Sequence, residues 1–136
     1  MSLNIAPKIF LGSCLCGAVK YEVRSEIKAV SHCHCRMCQK AHGAAFGTYG
    51  SVPKDSFLFT AGTESLRSYA SSQSVRRTFC ATCGSTLTWH DSQGAWSSWI
   101  AFSLGTLDSP FIPRKHRHIH LESRPSWHVS DEDARS

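Results

Sequence analysis

Residues 31–43 have the sequence Ser-His-Cys-His-Cys-Arg-Met-Cys-Gln-Lys-Ala-His-Gly, which places three cysteines close together. Cys33, Cys35 and Cys38 are near enough for one short segment to present three sulfurs to a single ion. Zinc is predicted because thiolates are soft ligands that suit it. A structural zinc site takes four protein ligands, whereas three protein ligands leave a position for water or substrate. Three thiolates therefore favour a zinc centre that is open to a small molecule.

Histidines in the same stretch leave a second interpretation open. His32, His34 or His42 could supply a fourth ligand, and the site would then be a closed structural zinc. If none of them does, His34, His42 and Lys40 are candidates for N–H donors to the ligand thiolates. A disulfide with one free thiol is disfavoured, because the compartment expected for this chain keeps cysteines reduced.

The length of 136 residues predicts one domain that spans 1–136. The sequence contains no apolar run of about 18 residues and does not begin with a basic segment followed by an apolar one, so neither a membrane span nor a signal peptide is predicted. We therefore expect a cytoplasmic location, where clustered cysteines more often bind metal than form disulfides. The polar tail from Ser130 is predicted to fray.

The net charge is a weak argument for a nucleic-acid partner. The formal value of +5 treats every cysteine as neutral. If the seven cysteines bind two zinc ions as thiolates, their negative charge exceeds that of the metal and most of the basic surplus disappears. The charge therefore gives little support for nucleic acid, which we do not expect as a partner.

Four further cysteines lie outside 31–43. They are Cys14, Cys16, Cys80 and Cys83. The first two form a C-x-C flanked by glycines, which allow the backbone to turn tightly, and the last two form a C-x-x-C. Spacing alone would join the two C-x-x-C units as in a zinc ribbon, but the 41 residues between them are more than a typical ribbon holds. The alternative joins the C-x-C to the later C-x-x-C and leaves the three cysteines of 31–43 to themselves.

Short alternating segments predict an all-β fold. Val19, Tyr21 and Val23 alternate with Lys20 and Glu22, which is the period of a half-buried strand. Further strands are predicted over residues 27–33, 43–50, 57–59, 66–69, 75–79, 86–89, 99–104 and 116–121. Frequent turns and the lack of a long helical period favour a small β domain.

Four motifs in a fixed order carry a resemblance to a known family. They are Gly-x-Cys-x-Cys-Gly at 12–17, Cys-His-Cys-x-x-Cys-x-Lys at 33–40, Phe-Cys-x-x-Cys-Gly-Ser at 79–85 and Ser-Arg-Pro-x-Trp at 123–127. From about Gly12 to Trp127 the chain resembles the glutathione-dependent formaldehyde-activating enzymes. The resemblance implies a single β-tent domain, similar to a zinc ribbon, with two zinc sites.

The resemblance also implies how the cysteines divide. A structural zinc is expected on Cys14, Cys16, Cys80 and Cys83. A second zinc, which serves catalysis, is expected on Cys33, Cys35 and Cys38. The implied reaction is that of a carbon–sulfur lyase, which joins glutathione or a related small thiol to formaldehyde as S-hydroxymethylglutathione, or reverses that step.

Two alternatives to an enzyme stay open at this point. The first is a non-catalytic carrier that binds glutathione or another thiol. The second is a zinc-ribbon module that binds protein or nucleic acid, which is favoured only if the basic stretch 113–118 forms one face with the tryptophans. Those tryptophans are predicted to lie in or beside the core, because nothing in the sequence places them along one groove. They are Trp89, Trp96, Trp99 and Trp127.

Two sets of basic side chains have both a functional and an ordinary interpretation. Arg76 and Arg77 could meet a substrate carboxylate, but adjacent arginines are more often solvated charge. His116, His118 and His120 alternate along one predicted strand and so share a face. Such a row could bind metal, although it is more often a solvated edge.

Overall fold

The computed structural model describes residues 8–128, and strands dominate this part of the chain. The strands are β1 (Phe10–Ser13), β2 (Lys20–Val23), β3 (Ala29–Cys33), β4 (Gly47–Pro53), β5 (Phe57–Ala61), β6 (Leu66–Ala70), β7 (Val75–Cys80), β8 (Thr86–Asp91), β9 (Trp99–Ser103) and β10 (His116–Ile119). A helix, α1 (Arg36–His42), follows β3. The prediction of a small sheet-dominated fold is confirmed. The tail that was expected to fray lies outside the described residues.

The strands form two sheets of unequal size. The smaller sheet has the antiparallel order β1-β2-β5. The larger sheet has seven strands in the order β10-β3-β4-β9-β8-β7-β6. All neighbours in it are antiparallel except β10, which runs parallel to β3 at the edge. This order places the end of β3, with Cys33, between β10 and β4.

The hydrophobic core lies between the two sheets. Tyr21 and Val23 of β2 are buried against Val52 of β4 and Phe102 of β9. Tyr21 also stacks on Phe57, with ring centroids 4.8 Å apart. Burial of Tyr21 and Val23 confirms the alternation expected of residues 18–23. Because strand side chains alternate between faces, the residues of β3 and β4 between these core positions point to the opposite face of the large sheet.

Helix α1 is the main local departure from the prediction. Residues 31–43 were not expected to contain a helix, and seven residues are two turns, too few to show a helical period. The sulfur of Cys35 accepts a hydrogen bond from the N–H of Cys38 and caps the helix start, while Gly43 ends it in the left-handed conformation with φ of 61°. Within residues 8–128 no helix is long and apolar enough to cross a membrane.

Gly62 lies where the turn that leads to β6 packs closely against the segment that enters β2, and its substitution tests that packing. It has φ of 76°, and a Cβ at this position would meet the carbonyl of Ala18 and lie 2.8 Å from Cα of Val19. Gly62→Ala is therefore expected to lower the free energy of unfolding by about 1–3 kcal/mol more than left-handed strain alone. Thermal unfolding followed by circular dichroism measures the loss.

Gly94 provides the matched control. It has φ of 86°, and a Cβ there would meet nothing within 4 Å. Gly94→Ala therefore carries the left-handed strain of about 1–2 kcal/mol without the backbone contact. Equal losses in the two variants would contradict the close packing at Gly62.

Candidate functional site

The turns after β1 and β7 bring four sulfurs together in a group that we call the four-thiol cluster. It consists of Cys14, Cys16, Cys80 and Cys83, whose sulfurs all lie within 4.8 Å of one another. The Cys14–Cys16 and Cys16–Cys80 sulfur pairs are 3.6 Å and 3.9 Å apart. Sulfurs at about 2.3 Å from a tetrahedral zinc ion are about 3.8 Å from each other. The cluster therefore has the dimensions of a zinc site. The alternative site, in which Cys35 and Cys38 would join Cys80 and Cys83, is not formed.

Local hydrogen bonds stabilise the thiolate form of two of these sulfurs, those of Cys14 and Cys83. The N–H of Val19 donates to Sγ of Cys14 at 3.3 Å. The Ser85 hydroxyl lies 3.3 Å from Sγ of Cys83, and this hydrogen bond lowers the pKa of the Cys83 thiol to about 5. Gly84, with φ of 81°, makes the turn that allows Ser85 to fold back on this sulfur. A metal held here would tie the small sheet to the large one.

The second group, the three-thiol cluster, forms where β3 runs into α1. It consists of Cys33, Cys35 and Cys38, whose sulfurs also lie within 4.8 Å of one another. The Cys33 and Cys35 sulfurs are 3.4 Å apart, which fits two thiolates on one ion. Within residues 8–128 the three-thiol cluster includes no histidine, aspartate or glutamate. The cluster therefore offers three protein ligands.

The nearby histidines have other partners. His34 is buried, and its Nε2 lies 2.8 Å from Nδ1 of His118. His32 is 2.9 Å from a threonine hydroxyl on β4. His42 lies 2.8 Å from the hydroxyl of Tyr49, so it approaches the sulfurs only through that side chain. The closed site that these histidines would have completed is not assembled in the described residues.

Arg77 is buried against the three-thiol cluster. Its two terminal nitrogens lie 3.8 Å and 3.9 Å from Sγ of Cys38, and one of them is 3.2 Å from the hydroxyl of Tyr49. Arg77 is 8% exposed, so its interpretation as solvated charge is wrong. Arg76 beside it is exposed, as that interpretation expected.

These contacts favour negative charge on one sulfur. The Tyr49 hydroxyl lies 3.5 Å from Sγ of Cys38. A hydrogen bond from the Cys33 thiol, together with Tyr49 and Arg77, lowers the pKa of the Cys38 thiol to about 4. Arg77 thus places a positive charge beside the thiolates, which compensates for part of the charge that three sulfurs bring into a buried site.

A cavity of about 480 Å³ opens beside the three-thiol cluster, over the face of the large sheet that points away from the core. Trp89, Trp96 and Trp99 all line it. Trp89 packs beside a core cluster, as predicted, whereas Trp96 is 60% exposed, and the alignment of the three along one cavity was not expected. Trp127 is not among the lining residues and is 64% exposed. Strand order explains the alignment, because β8 and β9 come together with β3 and β4 only in the folded sheet.

Basic side chains also line this cavity. They are Lys28, Arg77, Arg117 and His120, and among residues 8–128 no aspartate or glutamate lines the cavity. His120 follows the end of β10 and has φ of 59°, so it does not share the face of His116 and His118, contrary to the prediction. Of the basic stretch 113–118, Arg117 alone lines the cavity. Lys40 is exposed on α1 and does not line it.

Tyr49 is the site residue that sequence reasoning missed. It is 5% exposed and contacts Cys38, His42 and Arg77 through its hydroxyl. The sequence predicts that Tyr49 lies in a strand. It does not reveal the residues that its hydroxyl contacts, because these lie in α1 and β7. Strand pairing with Ser31 of β3 and Ser103 of β9 is what places it beside the sulfurs, and one sequence does not reveal that register.

Residues 9–123 match the family described as glutathione-dependent formaldehyde-activating enzyme. The chain belongs to this family. A Halomonas elongata protein that bears the family's name is 30% identical over 125 residues, which cover 85% of this chain and 77% of that protein. An Aspergillus flavus protein with the same family name is 25% identical over 116 residues, or 84% of this chain.

Two further comparisons are weaker, because one covers less of this chain and the other has lower sequence identity. An uncharacterized lyase of Schizosaccharomyces pombe is 34% identical over 76 residues, or 56% of this chain. This chain spans about half (53%) of the length of the two fungal proteins. The crystal structure of a Rhodobacter sphaeroides protein aligns with a TM-score of 0.64 over 79% of this chain and 98% of that protein, at 21% identity. That last similarity concerns the fold alone.

In this member of the formaldehyde-activating family, removal of the Arg77 guanidinium should weaken metal binding at the three-thiol cluster. Without the guanidinium charge, less of the repulsion between the buried thiolates is compensated, so the pKa values of the thiols rise. Arg77→Gln is expected to lower zinc affinity at this cluster about 10–100-fold, the usual cost of losing an outer partner of a metal ligand. Competition with a chromophoric chelator measures the change. Arg76→Gln changes the exposed neighbour and should leave the zinc affinity unchanged. If both variants lower the affinity equally, the contact between Arg77 and Cys38 does not explain the effect.

Proposed function

We propose that this chain is a zinc-dependent enzyme of the carbon–sulfur lyase type that forms or breaks a thiol–aldehyde adduct. Its reaction would be the condensation of glutathione, or a related small thiol, with formaldehyde to S-hydroxymethylglutathione, or the reverse. One observation carries this proposal. The three-thiol cluster has no fourth protein ligand among residues 8–128, and it opens into a cavity of about 480 Å³. Family membership and the names of the relatives support the same reaction class.

The two thiol clusters would have different roles. Cys14, Cys16, Cys80 and Cys83 would hold a structural zinc, because four thiolates complete its preferred shell. Cys33, Cys35 and Cys38 would hold the catalytic zinc. When bound there, zinc supplies Lewis acidity, which lowers the pKa of a thiol and polarises a carbonyl.

The side chains around the three-thiol cluster would prepare the site for this chemistry. In the forward direction a bond forms between the thiol sulfur and the aldehyde carbon, and the thiol proton ends on the former carbonyl oxygen. Burial raises the pKa of Tyr49 well above its ordinary value, so its hydroxyl stays protonated and can donate its one hydrogen to Sγ of Cys38, which favours the thiolate there. Arg77 supplies fixed positive charge beside Cys38, where negative charge accumulates.

The charges of the cavity favour an anionic thiol. Lys28 and Arg117 line it together with the buried Arg77, and no carboxylate of the described part of the chain lies on its wall. Glutathione carries two carboxylates and one ammonium group, so its net charge complements this lining. We therefore propose glutathione or an acidic relative as the small-molecule partner, with neither membrane nor nucleic acid involved, and the cytoplasm as the place of action.

Acceleration of the adduct reaction tests the proposal. Formaldehyde and glutathione combine spontaneously, so the measurement is the rate of exchange between free glutathione and S-hydroxymethylglutathione by NMR, with and without the zinc-loaded protein. A rate that rises in proportion to protein concentration supports an enzyme. Binding of glutathione with no change in exchange rate would contradict catalysis and support the carrier, for which the same cavity would suffice.

A further inference from the structure

The cavity extends well beyond the three-thiol cluster. Tyr49 touches Cys38 at one end, and Pro53, four residues further along β4, pairs with Trp99 of β9. Strand residues rise about 3.4 Å each, so Trp99 lies about 14 Å along the sheet from the level of Tyr49. A one-carbon group attached to a sulfur at the thiols does not span that distance. The far end of the cavity therefore either binds another part of the ligand or binds no ligand group at all.

Aromatic side chains form this far end. Trp96 and Trp99 meet edge to face with ring centroids 6.4 Å apart and an interplanar angle of 74°. Trp96 is 60% exposed, and neither ring belongs to a hydrophobic core cluster of the described residues. Trp89 lies between this pair and the sulfurs, because it packs against the three-thiol cluster and pairs with Ala101 of β9. The three rings thus form an apolar wall that begins at the thiols, which we call the tryptophan wall.

Such a wall is not needed to hold glutathione and formaldehyde alone. Glutathione is polar along its whole length, and its peptide groups gain little from contact with indole rings. Apolar or aromatic groups gain both buried area and ring–ring contact there. Large apolar side chains left exposed inside a cavity are typical of ligand sites.

We propose that Trp96 and Trp99 form a subsite for an aromatic or other bulky apolar group carried by the thiol–aldehyde adduct. This inference rests on the proposed function, since it assumes that the sulfur of the adduct lies at the three-thiol cluster. The anionic part of the ligand would face Lys28, from the segment before β3, and Arg117, from β10. The preferred substrate would accordingly be an adduct that is larger and more apolar than S-hydroxymethylglutathione.

Two pairs of probes test the subsite by calorimetric titration of the zinc-loaded protein. The thiols 2-mercapto-3-phenylpropanoate and 2-mercaptopropanoate share a carboxylate and differ by one phenyl ring. S-benzylglutathione and S-methylglutathione place the same difference on the carbon that an aldehyde would contribute. We expect the phenyl-bearing member to bind at least about tenfold more tightly in one pair, since even one methylene in an apolar pocket is worth about that much. Preference in the first pair assigns the ring to the thiol, and preference in the second assigns it to the aldehyde.

Variants of the tryptophans locate the effect. Trp99→Ala and Trp96→Ala should reduce the phenyl preference severalfold and leave the affinity of the smaller probe unchanged. Trp127→Ala is the matched control, because Trp127 is exposed to a similar degree and does not line the cavity. Circular dichroism checks that each variant folds.

The outcomes separate this inference from the proposed function. Equal affinities within both pairs, or a phenyl preference that survives in both cavity variants, would overturn the subsite and leave the proposed function standing. Failure of all four probes to bind would contradict thiol binding at the three-thiol cluster, and the subsite would fall with it.

Discussion

Cys80→Ser should abolish recovery of folded, soluble protein. Cys80 is fully buried at the end of β7, and its sulfur lies 3.9 Å from that of Cys16 in the turn after β1. Zinc coordination at such a site contributes about 10–16 kcal/mol to folding. The net stability of a domain of this size is only about 5–15 kcal/mol, so an incomplete structural site is enough to unfold it. Soluble yield and thermal unfolding measure the effect.

A serine in the other cluster is the comparison for this variant. Cys35→Ser also removes one thiol, but the three-thiol cluster joins adjacent segments instead of the two sheets. It should therefore remain folded with a much smaller loss of thermal stability. If both variants are equally unfolded, the three-thiol cluster is structural and the division of roles is wrong.

Cys35→Ser should return the exchange of glutathione with S-hydroxymethylglutathione to its spontaneous rate. The sulfur of Cys35 accepts the N–H of Cys38 and so caps α1. Serine is one of the best capping residues, and its oxygen should keep that hydrogen bond while it replaces a thiolate ligand. The loss of rate would then follow from lost metal and not from a frayed helix. Elemental analysis should find two zinc ions in the unaltered protein and one in the variant.

Cys35→Ala separates these two effects. Alanine removes both the ligand and the cap, so it should abolish acceleration to the same extent and cost about 1 kcal/mol more stability than serine. Full acceleration in either variant, with the zinc count reduced to one, would show that the three-thiol cluster does not carry the reaction.

The sequence predicted the sheet-dominated fold because local alternation is visible in one chain. Val19, Tyr21 and Val23 are all buried, as their spacing required. Gly43 was expected to open a strand, whereas it ends a helix and β4 begins at Gly47. A two-turn helix held by a cysteine cap leaves too short a pattern to be detected.

The candidate site was predicted only in part, because its remaining members meet through pairing between distant strands. The division of the cysteines came from family resemblance, since spacing alone allowed two partitions. Arg77 resembles its exposed neighbour Arg76 in sequence, and only the pairing of β7 with β8 turns it toward the three-thiol cluster. The tryptophan wall depends in the same way on the register of β8, β9 and β4. Long-range register is information that a local pattern does not contain.

The most direct test of the central claim is the absorption spectrum of the cobalt-substituted protein during titration with glutathione. Cobalt reports its ligands through visible absorption, and the four-thiol cluster, already complete, should not respond. An open three-thiol cluster predicts a saturable spectral change with glutathione that is absent in Cys35→Ser. If the spectrum shows no response to glutathione or to any other small thiol, and a histidine is found as the fourth ligand, both clusters are structural and the proposed enzyme activity is contradicted.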